Sequence, residues 1–182
     1  DAHDTAANTP MTLPSVDEAP VLTEGALKTG MAITTSLQKS VSATAEAAGK
    51  ADYDVTMVAV LVDDNGVIQS CIIDGIASSV AFDATGAITT DLTAAPQTKK
   101  ELKEGYGMLK ASAIGKEWYE QAAVLEAWCI GKTVDEVLAM KTFDRGDGNH
   151  TMVPDEADLS AGCTITVGDY LKALALAAAD AQ

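Results

Sequence analysis

Polar and apolar positions in the first half of the chain follow the two-residue period of β-strands. The runs that carry this pattern, or a fully apolar version of it, are Met31–Leu37, Asp54–Val62 and Val67–Ile73. Asp64-Asn65-Gly66 separates the second and third runs, and Asn-Gly between apolar runs predicts a hairpin because both residues tolerate positive φ. A second turn at Asp83–Gly86 leads into Ala87–Thr90. The stretch from Gly30 to about Thr90 is therefore predicted to form an antiparallel meander.

After Pro96 the apolar spacing changes to the three- and four-residue intervals of helices. The first such set is Trp118, Ala122, Leu125 and Cys129. Gly131 ends this predicted helix, and Thr133-Val-Asp-Glu136 is a capping box that opens a short one. Its inward residues are predicted to be Val134, Val137 and Leu138. A last helix is predicted from about Val167 to Ala179, with Val167, Tyr170, Leu171, Leu174 and Ala178 on its inner face. The chain is therefore predicted to be α+β, an antiparallel sheet with helices packed on one face.

The first 25 residues have the composition of a linker. They hold three of the five prolines, mixed with Asp, Thr and Ala and without a period. Such a segment cannot bury enough apolar surface to fold alone. Residues 1–25 are therefore predicted to be a flexible arm, and residues 26–182 a single domain. The first residue is Asp1 rather than Met, which predicts removal of an upstream signal or anchor.

The formal net charge of −15 comes from 12 Lys and Arg residues against 27 Asp and Glu residues. This charge repels phosphate backbones and anionic lipid surfaces, so it argues against nucleic-acid partners. It favours a soluble protein in an extracellular or cell-surface setting. No apolar stretch has the length of a transmembrane helix. Membrane attachment is therefore predicted only through a removed N-terminal anchor.

The three cysteines, Cys71, Cys129 and Cys163, form no CxxC pair and no disulfide framework in the sequence. Cys71 lies in a strand-like run, and Cys129 lies on the apolar side of a predicted helix. Buried free thiols are therefore expected.

The run Asp158-Leu-Ser-Ala-Gly-Cys-Thr-Ile-Thr166 stands directly before the last predicted helix. A helix N-terminus suits a phosphate, and small residues let the backbone approach a bulky group. The run resembles the flavin-attachment motif of the FMN-binding domain family. The residues that match the motif in register are Asp158, Gly162, Thr164 and Thr166. The run departs from it at Ala161, where the family has Ser or Thr, and at Cys163, where it has Ala.

The order of elements is also similar to that family. Its members include flavin-carrying surface lipoproteins of Gram-positive bacteria and the flavin subunits of sodium-pumping NADH:quinone reductase and Rnf complexes. The resemblance implies FMN linked covalently through its phosphate to Thr166, with Asp158, Gly162 and Thr164 shaping the loop or read by a flavin transferase. It implies an extracytoplasmic, lipid-anchored bacterial module that carries electrons from a membrane-bound donor, rather than a stand-alone enzyme.

Two other functional interpretations of the sequence remain open, one for Thr166 and one for a separate loop. Thr166 is also a plausible N-cap with Asp169 at the third helical position, which would suit a cofactor-free binding or structural module on the same fold. The loop from Asp144 to Asn149 offers oxygen ligands for calcium and an Arg-Gly-Asp tripeptide, but its spacing is not that of an EF-hand. His3 and His150 have no triad around them, and no catalytic or metal-binding residue is predicted.

Overall fold

A computed structural model describes Gly25 and residues 27–182. Its larger sheet has three strands in chain order, β1 (Lys28–Ser36), β2 (Gly49–Val62) and β3 (Ile68–Phe82). Both strand pairings are antiparallel. The predicted antiparallel meander is therefore confirmed. Apart from Gly25, the predicted flexible arm lies outside the described residues.

The β2–β3 hairpin forms where Asn65-Gly66 predicts it. Gly66 has a φ of 75°, and its N–H donates to the Asp63 carbonyl oxygen at 2.9 Å. The Asp63 carboxylate accepts from the backbone N–H groups of Asn65 and Val67 at 2.9 and 3.0 Å. The turn is thus held by a side chain of its own strand end, as Asx-turns are.

The second predicted turn also forms, with the Gly86 N–H donating to the Asp83 carbonyl at 3.0 Å. The chain returns only as an isolated bridge between Phe82 and Ile88, and not as a further strand. Ile88 is 56% exposed. The Thr89 N–H donates to the Ala81 carbonyl at 2.9 Å and the Ala81 N–H donates to Thr90 Oγ1 at 2.7 Å, but the Ile88 side chain is not buried, and the segment does not continue as a strand.

Four α-helices follow the sheet in the described residues: α1 (Lys99–Leu102), α2 (Trp118–Cys129), α3 (Val134–Leu138) and α4 (Gly168–Ala179). A 3-10 helix, Lys103–Tyr106, comes directly after α1. A two-stranded ribbon of β4 (Thr142–Phe143) and β5 (Val153–Pro154) lies between α3 and α4 in the chain. α2 packs on β3, and α4 packs on β1 and β2. None of the helices formed by residues 27–182 is long and apolar enough to cross a membrane.

The helices cover one face of the three-stranded sheet, as predicted. That face contributes Val58, Val60, Val62, Cys71 and Ile73 to the core. The predicted face of α2 is buried at Trp118, Ala122, Leu125 and Cys129. Strand residues that alternate with the buried ones point to the opposite face. On that face Met31, Ile33 and Ile72 are exposed.

The short elements and helix ends differ in detail from the sequence-based expectations. α3 has only five residues and buries Val137, while Leu138 is exposed. α4 begins one residue later than predicted and buries Ala177 where Ala178 was expected. Because α3 presents only about one turn to the core, its Val137 is covered and the neighbouring Leu138 is not.

Both ends of the described domain meet at the start of β1. The Thr29 N–H donates to the Gln182 carbonyl oxygen at 3.2 Å, and the Gln182 N–H donates back at 3.4 Å. This pairing continues the contact of α4 with β1, because the last residues follow α4 directly. The C-terminus is thereby fixed to the strand with which the domain begins.

Candidate functional site

The run from Asp158 to Thr166 lies along one side of α2. Its contacts are, in order, Asp158 with Trp128, Gly162 with Val124, and Thr164 with Gln121. Helix residues at intervals of three and four share one side of the helix. The run therefore follows α2 from its C-terminal to its N-terminal end. Thr166 lies beyond these contacts, directly before α4.

Asp158 anchors the start of the run. Its Oδ1 accepts a hydrogen bond from Trp128 Nε1 at 2.9 Å. Lys132 Nζ lies 4.3 Å from the centroid of the Trp128 ring, a cation–π contact. Together with Val124 and Ala127, these residues line an open groove of about 540 Å³. The Asp158 carboxylate thus holds the indole ring at one wall of a shallow apolar surface.

We expect Asp158→Ala to release the Trp128 ring. Loss of the hydrogen bond from Trp128 Nε1 should lower the free energy of unfolding by about 0.5–1.5 kcal/mol, since a neutral donor meets a charged acceptor but the contact is exposed to solvent. Acrylamide quenching of tryptophan fluorescence should increase, because Trp128 gains freedom while Trp118 stays buried. Asp155→Ala, at an exposed position nearby, is the matched control. Equal quenching in the two variants would contradict the anchoring role.

Gly162 lets the run approach α2 closely. A Cβ at this position would lie 2.7 Å from Val124 Cγ1, which is inside van der Waals contact. The Leu159 carbonyl accepts from the N–H groups of Gly162 and Cys163 at 2.9 and 3.0 Å, so the run turns tightly here. Cys163 is fully buried. Cys163, which stands where the motif has Ala, therefore fills space in the core.

Thr164 is bound to a buried amide. Its backbone N–H and its Oγ1 both donate to Gln121 Oε1, at 2.8 and 3.1 Å. Gln121 Nε2 in turn donates to Ser112 Oγ and to the Lys116 carbonyl, each at 3.0 Å. Gln121 is fully buried. One amide thus satisfies four polar contacts and joins the run to the loop before α2.

Thr166 differs from the other three predicted residues. Its Oγ1 is buried and has no hydrogen-bond partner among the residues that the structure describes. A buried hydroxyl without a partner costs about 1–3 kcal/mol. Its neighbours Ile165 and Val167 are both core residues, and their burial fixes the backbone on either side. The position of this hydroxyl is set by the packing of its neighbours.

The capping role considered for Thr166 is not found. The N-cap of α4 is Val167, whose hydrocarbon side chain cannot accept a hydrogen bond. Val167 is fully buried, and its N–H donates to the Met152 carbonyl at 2.8 Å. Burial of Val167 sets the helix start at Gly168 and moves the Thr166 side chain away from the cap position. The N-terminus of α4 therefore begins without a side-chain cap.

A polar cleft of about 300 Å³ opens beside the first turn of α4. The sheet contributes Thr34, Asp54 and Thr56, and α4 contributes Asp169 and Lys172. Lys172 offers positive charge to an anion, while Asp169 repels it. The cleft is thus polar and of mixed charge.

An aromatic cluster around Lys99 joins α1 to α2 and α4. Lys99 Nζ lies 5.4 Å from the ring centroid of Tyr106 and 5.2 Å from that of Trp118, and it donates to Tyr170 Oη at 3.4 Å. Burial lowers the pKa of Lys99 and raises the pKa of Tyr170. The ammonium group already occupies the space between the rings, so the cluster acts as an internal contact between helices.

The loop from Asp144 to Asn149 uses its carboxylates for its own backbone. Asp144 Oδ1 accepts from the Gly146 N–H at 2.7 Å, and Asp147 Oδ1 accepts from the Asn149 and His150 N–H groups at 2.9 Å. Hydrogen bonds, first of all that from the Asn149 N–H, lower the pKa of Asp147 to about 2. These carboxylate oxygens accept hydrogen bonds from the backbone of the loop, so fewer of their lone pairs are left to bind a cation.

Sequence reasoning missed Gln121 and Trp128. Gln121 lies three residues after Trp118 and four before Leu125, inside the apolar stripe of α2. A polar residue within such a stripe is a signal for a buried hydrogen-bonding role. Trp128 lies beside the stripe and carries no such signal. Its partner Asp158 is 30 residues away in the chain.

The comparisons with known proteins give one local similarity. A segment is 49% identical over 41 residues to the chlorophenol reductase of Desulfitobacterium hafniense. The match covers 22% of this chain and 12% of the length of that relative. No protein-family model and no solved structure matches the chain. The chain therefore shares a short segment with a protein that is named a reductase.

Proposed function

We propose that this domain is an extracytoplasmic electron-transfer module that carries FMN linked through its phosphate to Thr166. The observation that carries the proposal is the Thr166 hydroxyl, which is buried and unpaired within the described part of the chain, directly before a 12-residue helix. FMN, when bound, supplies one- and two-electron transfer through its isoalloxazine ring. The module would take electrons from a membrane-bound donor and be loaded by a flavin transferase.

Two observations at Thr166 favour such a group. An ester at Oγ1 replaces the O–H donor, so the modified residue no longer holds a buried donor in need of an acceptor. The uncapped N-terminus of α4 favours negative charge nearby. Asp169 in the first turn opposes this effect, and Lys172 offsets it. Because Oγ1 is covered, attachment requires local opening of the segment around Thr166.

The other motif residues hold the segment in place. Asp158, Gly162 and Thr164 fix it to α2 through a hydrogen bond to an indole, a close backbone approach and a buried amide. Thr166 thus lies between a run that is bound to α2 and the start of α4. The local similarity to a reductase supports a redox role. Residues 1–25 would tether the module to a lipid anchor at a bacterial cell surface.

A second candidate is a cofactor-free binding or structural module on the same fold. The packing of Asp158, Gly162 and Thr164 against α2 favours it, because their contacts need no ligand. On this interpretation, three of the four residues that match the motif only stabilise the fold. The two candidates differ only in what happens at Thr166.

Intact mass and visible absorbance separate the two candidates. The protein is produced together with a flavin transferase and with a second substrate of that enzyme, which proves that the transferase is active. We expect one FMN per chain, retained through denaturation. Thr166→Val should abolish it without loss of stability, because valine keeps the shape of threonine and removes a buried donor that is unpaired in the described structure.

Ser160→Ala is the matched control for this experiment. Ser160 lies in the same run but is neither a match to the motif nor a departure from it, so its variant should carry the same FMN as the wild type. Wild-type protein of unmodified mass beside a fully flavinylated second substrate would reject flavin attachment and leave the cofactor-free module.

A further inference from the structure

Two of the three cysteines lie on the two elements that pack together at the contact between β3 and α2. Cys71 is on β3 and Cys129 is the last residue of α2, and both are buried in the core as free thiols in the structure, as expected from the sequence. Cys163 is also buried, and it lies in the run that packs along α2. The cysteines that appear unrelated in the sequence are thus brought together by the packing of one helix on one strand.

Two hydrogen bonds bracket the pair. On one side the Ile73 N–H donates to Glu126 Oε1 at 2.6 Å, and on the other the Gly131 N–H donates to the Ile68 carbonyl at 2.8 Å. Cys71 lies between Ile68 and Ile73 in the strand. Cys129 occupies the corresponding interval between Glu126 and Gly131. Since both cysteine side chains point into the core, the bracketing bonds place the two thiols opposite each other.

The ionisation of the thiols agrees with this placement. The interaction with the Cys129 thiol is the largest cause that raises the pKa of Cys71, ahead of burial. The pKa of Cys163 is raised to about 11, and there burial is the largest cause. The Cys129 thiol is thus the largest cause of the raised pKa of Cys71, whereas it is the smallest of the causes that act on the pKa of Cys163.

We propose that Cys71 and Cys129 form a disulfide bond that joins β3 to α2. Each thiol loses its proton, one Sγ–Sγ bond forms, and the two electrons pass to a disulfide oxidant, which is reduced to two thiols. The bond would close the chain from Cys71 to Cys129 and restrict the unfolded state. It would also fix α2, the helix on which the Asp158–Thr166 run packs. This proposal is independent of flavin attachment.

Because both sulfurs are buried, the bond forms as the chain folds, before the core closes. The test is therefore refolding of the full chain from denaturant in a mixture of reduced and oxidised glutathione. The product is quenched with acid, denatured, alkylated and mapped by peptide mass. We expect one alkylated cysteine per chain, Cys163, and a peptide pair linked through Cys71 and Cys129. The midpoint of thermal unfolding should rise by about 10 °C relative to the reduced protein.

Variants identify the partners. Cys163→Ser should keep the linked pair and leave no thiol to alkylate. Cys71→Ala and Cys129→Ala should each leave two thiols and lose the oxidation-dependent rise in the thermal midpoint. If a variant fails to fold, the peptide map of the wild type still decides the question. Three alkylated cysteines under oxidising conditions, a bond to Cys163, or a lower thermal midpoint after oxidation would each overturn the proposal.

Discussion

Gly30→Ala is expected to destabilise the domain by more than about 3 kcal/mol, the upper end of what an added methyl group costs in a packed core. A Cβ on Gly30 would lie 1.8 Å from the Ala177 carbonyl oxygen and 3.1 Å from the Ala181 N. The obstacle is backbone, so no side-chain rotation relieves it. To admit the methyl group, α4 must move away from β1. The effect is measured as the midpoint and free energy of urea unfolding.

Gly105→Ala is the control for this substitution. The nearest atom to a Cβ at Gly105 is Leu102 Cδ2 at 3.9 Å, which is an ordinary contact. The stability of this variant should stay within about 0.5 kcal/mol of the wild type. Equal unfolding midpoints for Gly30→Ala and the wild type would mean that α4 does not pack on β1 as described.

Gln121→Met is expected to cost about 2–4 kcal/mol, because it leaves several buried polar groups without their partner. Methionine keeps the length of the side chain but removes the acceptor for Thr164 and the donor to Ser112 Oγ and the Lys116 carbonyl. The Thr164 amide should also lose its protection from hydrogen exchange at neutral pH. Urea unfolding and residue-resolved exchange measure the two effects.

Thr164→Val provides the matched comparison. It removes only the 3.1 Å hydroxyl bond and keeps the backbone N–H bond to Gln121. The expected cost is about 1 kcal/mol, and the Thr164 amide position should remain protected. If Gln121→Met were no more destabilising than Thr164→Val, the buried amide would not be the link between the run and α2.

Local chemistry made much of the fold predictable. The Asn65-Gly66 turn, the Thr133 capping box and the apolar stripe of α2 each depend on residues within a few positions of one another, and the structure contains all three. The free energy with which each of these features forms depends mainly on neighbouring residues and not on distant contacts. This is why the sheet, α2, α3 and their order follow from the pattern of the sequence.

The candidate site was less predictable because its contacts are distant in sequence. Thr164 and Gln121 are 43 residues apart, and no local pattern links a threonine in a loop to an amide in a helix. The start of α4 was misplaced for a related reason. Local propensity favours threonine as a cap, but burial of Val167 determined where the helix begins. Tertiary packing thus decided the surroundings of Thr166.

The pairing of Thr29 with Gln182 has a geometric consequence for a tethered protein. α4 runs for 12 residues, from Gly168 to Ala179, towards this pairing, a length of roughly 18 Å at about 1.5 Å per residue. The start of β1 and Thr166 therefore lie at opposite ends of α4. If the domain is tethered through residues 1–25, as we propose, the length of this helix would separate the point of attachment from Thr166.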